Sequence, residues 1–398
     1  MPAWFDELAE FLRIPSVSAD PARKADVTRA GEWVCELIRG AGGDSELVDW
    51  HGQPLAIGEL RASSDPQGAP TVLCYGHFDV QPPDPLELWE SPPFEPEIRG
   101  EYLYGRGVAD DKGQLYLLLC AARELARAGE LPVNVRFACD GEEETGGHSI
   151  VEFLEGDARG AQVAVIFDSG MIRRGAPAFN IATRGVAYFH LTLRTGAQDL
   201  HSGIYGGAAL NAAHALIQAL GAVVAVDGRL VDPLRKGILS PTEEELAGWR
   251  ELPAGADELA DQGARPMDER AADEFYMRTF AEPALDVNGI ESGSPHLMKT
   301  VLPVVAAANV SIRLAPGQQV AEIAAAFERV LGVRPALIRS GGTLPIVSAL
   351  ADKGIATIIT GFSLPNANIH SPNECLLVEN VSLGIAAARA LFEELASL

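Results

Sequence analysis

The chain is sparing with cysteine and with basic residues, and it has no long apolar run. Five cysteines occur among 398 residues, at positions 35, 74, 120, 139 and 375, an odd and scattered set without a CxxC pair. That pattern offers no disulfide framework, and Cys74, Cys120 and Cys139 lie in apolar runs where a thiol behaves as a small hydrophobe. A reducing, cytoplasmic setting is the expectation. Lysine and arginine number 31 against 55 aspartates and glutamates, for a formal net charge of -24. Phosphate backbones and anionic lipid surfaces attract basic patches, so neither nucleic acid nor membrane is an expected partner. No apolar run approaches the roughly 18 residues of a membrane span. Met1 to Arg13 lacks the basic start and apolar stretch of a signal peptide and reads as an amphipathic helix. Internal repeats and low-complexity linkers are missing too.

What is present is enough apolar material, 47% of residues, to bury a large core. The first 180 residues alternate helical and strand-like segments. Trp4, Phe5, Leu8, Phe11 and Leu12 share one helical face, and Trp33, Val34, Leu37 and Ile38 share another. Thr71–Tyr75, Val133–Ala138 and Val163–Phe167 are short continuous apolar runs bounded by Gly, Pro or Asp, which suits central strands covered on both faces. Leu115 to Ala128 is the clearest helix. After residue 184 the texture changes. Val186–Arg194 and Val304–Leu314 read as strands, Ala208–Leu220 as a helix, and 230–297 as acidic, solvated, short helical pieces. The end of the chain returns to strand (Ile355–Ile359) and helix (Val381–Leu395). The expectation is an α/β fold: a discontinuous, mixed-sheet catalytic domain (1–184 and 315–398) with an inserted α+β domain (185–314). A domain that is left and re-entered is a natural place for a cleft.

Acidic and histidine motifs fall where the expected strands end. In Gly76-His77-Phe78-Asp79, residues i and i+2 point the same way, so Asp79 can orient His77 as a carboxylate orients a metal-binding imidazole. Alone, a structural turn explains that motif equally well. Gly105 to Gly113 contains adjacent Asp110 and Asp111; acidic caps of the following helix are one reading, a crowded cation site the other. Glu142, Glu143 and Glu144 follow a buried strand, where three carboxylates are costly to ionise without cations or solvent. Asp168 ends the Val163 strand, and His370 lies in Ile369-His-Ser-Pro-Asn-Glu374. Taken singly, Asp168 and His370 read more readily as structural. Jointly, carboxylates and two imidazoles at successive strand ends suit a borderline cation such as Zn²⁺, with Mn²⁺ or Co²⁺ as alternatives. Five ligands with one bridging carboxylate fit two ions about 3.5–4 Å apart.

The set GHFDV, GRGVADDKG, GEEETGG, the aspartate of IFDSG, DLHSGIYGG and IHSPNE resembles the M20 family of dinuclear zinc metallopeptidases, within it the carnosinase-like dipeptidase branch. The resemblance runs over nearly the whole chain with the motifs in the family's order. It implies a zinc-exopeptidase-like catalytic domain with a lid and dimerisation domain. It also implies His77 and Asp168 on one metal, Glu144 and His370 on the other, and Asp110 bridging both. Asp79 would orient His77, Glu143 would be the general base, and a cis peptide would join Asp110 to Asp111. His201 is similar to the family's histidine that reaches into a partner subunit's active site, which implies a homodimer. Arg313, Gly342 and Thr343 are similar to residues that hold the substrate's carboxylate, a task suited to a planar guanidinium. The implied activity is amide hydrolysis in dipeptides or short peptides.

One departure concerns the inserted domain. A single expected helix, roughly Val320 to Leu331, separates Pro316 from Gly332, so this domain is shorter at its C-terminal end than the resemblance implies. Two rival readings accompany the dipeptidase. One is an N-acyl or N-succinyl amino acid deacylase using the same site, against which Asp168 weighs because some deacylating relatives carry Glu there. The other is a non-catalytic scaffold of the same fold.

Overall fold

In the computed structural model, the described residues are 2–171, 173–175, 185–294, 296–316 and 345–398, with the backbone of 336–338. The chain divides into two units, Met1–Ile181 with Leu344–Leu398, and Ala182–Thr343.

The first unit is built on six strands: β1 (Asp44–Trp50), β2 (Gln53–Leu60), β3 (Thr71–His77), β4 (Asn134–Asp140), β5 (Val163–Phe167) and β6 (Ala356–Thr360). Their order across the sheet is β1-β2-β4-β3-β5-β6. The pairs β4–β3, β3–β5 and β5–β6 are parallel, whereas β1–β2 and β2–β4 are antiparallel, so the sheet is mixed. The hairpin from β1 to β2 turns on His51 and Gly52, both at positive φ, as a two-residue primed turn requires. Along β3, Val72 and Cys74 enter one apolar cluster, while Leu73 and Tyr75 enter another on the opposite face. Period-two side chains thus feed two cores, which is why the run reads as continuously apolar.

Helices Lys24–Gly40, Lys112–Ala128 and Val378–Leu395 contribute to the first cluster, through Val34, Leu117 and Val381 among others. Helices Ser149–Gly156 and Pro345–Asp352 contribute to the second, through Ile150, Leu154, Ile346 and Leu350. The N-terminal helix spans Phe5–Leu12, and Phe11 stacks on Trp33 with ring centroids 4.2 Å apart. Among the described residues, no helix is long and apolar enough to cross a membrane.

The second unit carries a four-stranded sheet ordered Ala284–Glu291, Val305–Arg313, Val186–Arg194, Ala336–Ile338. Helix Ala212–Gly221 packs on it, and Leu216, Phe189 and Val310 share its core. The strand Ala284–Glu291 falls inside the stretch expected to be solvated helical pieces. Its polar alternation, Asp286 and Asn288 against Leu285 and Val287, hides one buried face. This unit also runs past residue 314, where the sequence suggested a return to the first domain, because residues 336–338 pair with Val186–Arg194. The helix expected at 320–331 lies outside the described residues.

Candidate metal centre

The centre forms at the carboxyl ends of the parallel strands. His77 closes β3 directly beside Asp140, which closes β4, and Asp168 follows the last residue of β5. His77 is fully buried, and both its ring nitrogens are engaged. Nε2 lies 3.0 Å from Asp110 Oδ1; Nδ1 lies 3.1 Å from the Asp79 carbonyl oxygen and 3.3 Å from Asp79 Oδ1. The Asp79 carboxylate has a second task that the sequence did not announce. It accepts the backbone N–H groups of Glu143 (3.2 Å) and Glu144 (3.1 Å), tying the acidic turn after β4 to the end of β3.

The loop from Gly105 to Asp111 brings in the next two carboxylates. Gly107 has φ +84°, and a Cβ there would stand 2.6 Å from Val80 Cγ1. At Gly113 a Cβ would meet the Val108 carbonyl oxygen at 1.9 Å, so the loop can fold onto the following helix only with glycine. The Asp110–Asp111 peptide is cis. Asp111 Oδ2 accepts the His77 backbone N–H at 3.1 Å, while its Oδ1 is buried without a hydrogen-bond partner among the described residues. Glu374 and Gln114 hold the loop from outside. Glu374 accepts the N–H groups of Gly107, Ala109 and Asp110, and Gln114 donates to the Ala109 carbonyl at 2.8 Å.

The opposite side is supplied by Glu144 and His370. His370 Nε2 lies 2.9 Å from Asp110 Oδ2 and 3.1 Å from Glu144 Oε2. Gln81 brackets Glu144: its backbone N–H donates to Oε1 at 3.1 Å and its side-chain amide to Oε2 at 3.0 Å. Glu143 reaches to 4.0 Å from His77 Nε2 without displacing Asp110.

The electrostatics are those of a site short of positive charge. Burial alone would depress His77, but its hydrogen bonds to Asp110 and Asp79 raise its pKa well above the imidazole range. Hydrogen bonds to Asp110 and Glu144 push His370 up to about 10. Burial raises Glu143 to about 8, helped by Asp168, Glu144 and Asp79 and opposed by His77. Burial likewise raises Asp168 and Asp111, each reinforced by neighbouring carboxylates. Asp110 goes the other way, because its hydrogen bonds to His370 and His77 outweigh burial. Carboxylate oxygens and imidazole nitrogens gathered around a buried carboxylate oxygen that lacks a hydrogen bond are a donor set that divalent cations fit. Two groups of donor atoms lie within 4.8 Å of one another: His77, Asp110 and Glu144, and His77, Asp111 and Asp168. The second of these includes Asp111, which the sequence reading put in a crowded cation loop without a ligand role of its own.

Sequence reasoning thus passed over Gln81, Glu374 and Gln114. Gln81 directly extends the GHFDV run and Glu374 closes IHSPNE, so proximity to the motifs was the available signal. In the second unit, His201 ends the short strand Leu200–His201, paired with Val301–Leu302, and its Nδ1 accepts the Gly203 N–H at 3.0 Å, capping a helical turn. Arg313 ends its strand opposite Ala284 and Val186. Gly342 and Thr343 lie outside the described residues.

A family model described as peptidase family M20/M25/M40 matches residues 73–394. The Cys-Gly metallodipeptidase DUG1 of Saccharomyces cerevisiae is 26% identical over an alignment covering 98% of this chain and 95% of that protein. The human Beta-Ala-His dipeptidase is 28% identical, covering 98% and 86%. Both alignments run over more positions than this chain has residues, so the relatives carry additional segments. Among solved structures, human carnosine dipeptidase 1 superposes with a TM-score of 0.82 at 25% identity, over 99% of this chain and 96% of that one. The fold is also that of an M20 metallo-carboxypeptidase from Sulfolobus solfataricus, with a TM-score of 0.83 at 23% identity and full coverage of both chains.

Proposed function

The chain belongs to peptidase family M20/M25/M40, and from that premise we propose that it is a dipeptidase whose two divalent cations are held by His77, Asp110, Glu144, Asp168 and His370. The observation that carries this reading is the Asp110 carboxylate, which offers Oδ1 to His77 at 3.0 Å and Oδ2 to His370 at 2.9 Å. One carboxylate with an oxygen toward each imidazole is what a bridging ligand requires. The donor set of nitrogen and oxygen suits zinc, with manganese or cobalt as alternatives.

Such cations lower the pKa of a coordinated water toward about 7 and polarise the scissile carbonyl. The remaining work falls to the chain. Glu143, raised toward neutrality by burial, accepts the proton of the attacking water and returns it to the leaving amine. Asp79 fixes the tautomer of His77 so that Nε2 faces the site. The dipeptidase relatives support a dipeptide as substrate; Arg313 is the proposed anchor for its carboxylate, and Gly342 and Thr343 are proposed for the same task.

The same reading makes the enzyme a homodimer in which His201 stabilises the developing oxyanion of the partner's substrate. Exposed apolar side chains on the segments flanking the His201 strand pair, Ile204, Tyr205, Leu297 and Met298, support a surface that a second copy covers. The expected setting is the cytoplasm, which suits five buried, unpaired cysteines.

Assay of the purified protein with Zn²⁺, Mn²⁺ or Co²⁺ on dipeptides and on N-acetyl amino acids tests the substrate class. Cleavage confined to the N-acetyl compounds would replace the dipeptidase by a deacylase. Fewer than one bound cation per chain would remove the metal chemistry altogether.

A further inference from the structure

Glu374 lies in a part of the chain far from Asp110 in sequence, yet it governs the loop on which Asp110 stands. Its side chain is fully buried. Oε2 accepts from Arg106 Nη1 at 2.6 Å and from the Gly107 N–H at 3.0 Å. Oε1 accepts from the Ala109 N–H at 2.9 Å and the Asp110 N–H at 3.1 Å. Three backbone N–H groups aimed at one carboxylate form an anion nest, closed by a guanidinium.

The surroundings fix the carboxylate from both sides. The Glu374 carbonyl accepts the Gly105 N–H at 3.1 Å, and the next residues, Cys375–Leu377, pair with Tyr102–Tyr104. Arg106 is itself buried; its Nη2 donates to the Pro82 carbonyl at 3.3 Å, and its guanidinium lies 5.5 Å from the Trp89 ring. On the other side, Asn373 accepts the Glu90 N–H and donates to the Leu88 carbonyl, both at 2.9 Å. The segment 370–374 therefore carries His370 at one end and the anchor of the Asp110 loop at the other.

We propose that Glu374 is a positioning residue for the metal centre: its carboxylate sets the Gly107–Asp110 loop so that Asp110 stands between His77 and His370. The proposal rests on the reading of those residues as cation ligands. Supporting groups beyond the ligands of a metal typically change its affinity by about 10–100-fold when removed. A purely structural ion pair behaves differently, because replacing both buried charges with apolar groups of similar size often leaves a protein intact.

The test is Zn²⁺ affinity by chelator competition, measured on the folded full-length protein alongside dipeptide kinetics. Glu374→Gln is expected to bind Zn²⁺ at least about tenfold more weakly and to lose kcat with little change in KM. The double variant Arg106→Met/Glu374→Met removes both charges; positioning leaves its Zn²⁺ affinity equally weak, whereas a structural pair restores it. Glu374→Asp keeps the charge but withdraws it by one methylene, and serves if the others fail to fold. Wild-type Zn²⁺ affinity in any of these folded variants overturns the proposal. A wild-type protein that takes up no Zn²⁺ overturns the metal reading beneath it, a result seen before any variant is made.

Discussion

The two histidines of the proposed centre are held in different ways. His77 is buried at the end of a central strand, with hydrogen-bond partners at both ring nitrogens and its backbone N–H on Asp111. His370 stands on a turn with φ +60°, its side chain 52% exposed, and only its Nε2 meets Asp110 and Glu144. The inner half of the site is therefore assembled by the fold itself, whereas the outer half depends on a loop. Burial also makes the inner half the costlier one to disturb, since a vacancy there strands Asp79, Asp110 and Asp111 beside one another in a poorly solvated place.

The largest expected effect is from His77→Ala, which should remove both cations, abolish activity and lower the melting temperature. His370→Ala should leave one cation and nearly the original melting temperature. Metal analysis with calorimetry checks both, and equal losses in the two variants would break the contrast. Next comes Glu143→Gln, expected to lower kcat by about 10²–10⁴-fold with both cations retained. Near-normal turnover would remove Glu143 as the base. Asp79→Asn should weaken cation affinity by about 10–100-fold, because it loosens His77 and the Glu143–Glu144 turn together. An equal fall in the corresponding Gln81→Ala variant, which frees only Glu144, would show that the outer half is as sensitive as the inner.

The smallest effect lies far from the centre. Burial works to raise Asp157, but hydrogen bonds from Arg159 and Arg136 outweigh it and pull its pKa down to about 2. A carboxylate whose folded pKa is depressed stabilises the fold above its unfolded value and loses that contribution as pH falls through its folded value. Asp157→Asn should therefore lower the melting temperature at pH 7, and the difference from wild type should shrink between about pH 4 and pH 2. A difference that persists at pH 2 would point to packing instead of charge.

The inner half was the more legible in the sequence. Strand ends at His77 and Asp168 followed from apolar runs bounded by polar residues, and the β5 strand Val163–Phe167 has the limits that pattern gave. Asp79 was legible as a partner of His77 from its i+2 spacing, but its grip on Glu143 and Glu144 was not, because backbone N–H donors leave no mark in a sequence. The same holds for Glu374, whose partners are mostly main-chain groups more than 250 positions away. The roles of Asp110 and His201 came from family resemblance, since neither spacing nor periodicity distinguishes them. The strand Ala284–Glu291 was obscured because its buried face is formed by few residues, with a register shift between Val287 and Gly289 interrupting the alternation.

The parallel pairing of β6 with β5 has a consequence for how the site is made. β6 and His370 come after the whole second unit, whereas the other four candidate ligands precede it. Contacts of such high sequence separation form late, because loop closure must precede them. A growing chain therefore carries His77, Asp110, Glu144 and Asp168 throughout the making of the second unit, before His370 and the Glu374 anchor are added. Under the proposed ligand set, the centre is therefore completed only by the segment that follows the second unit.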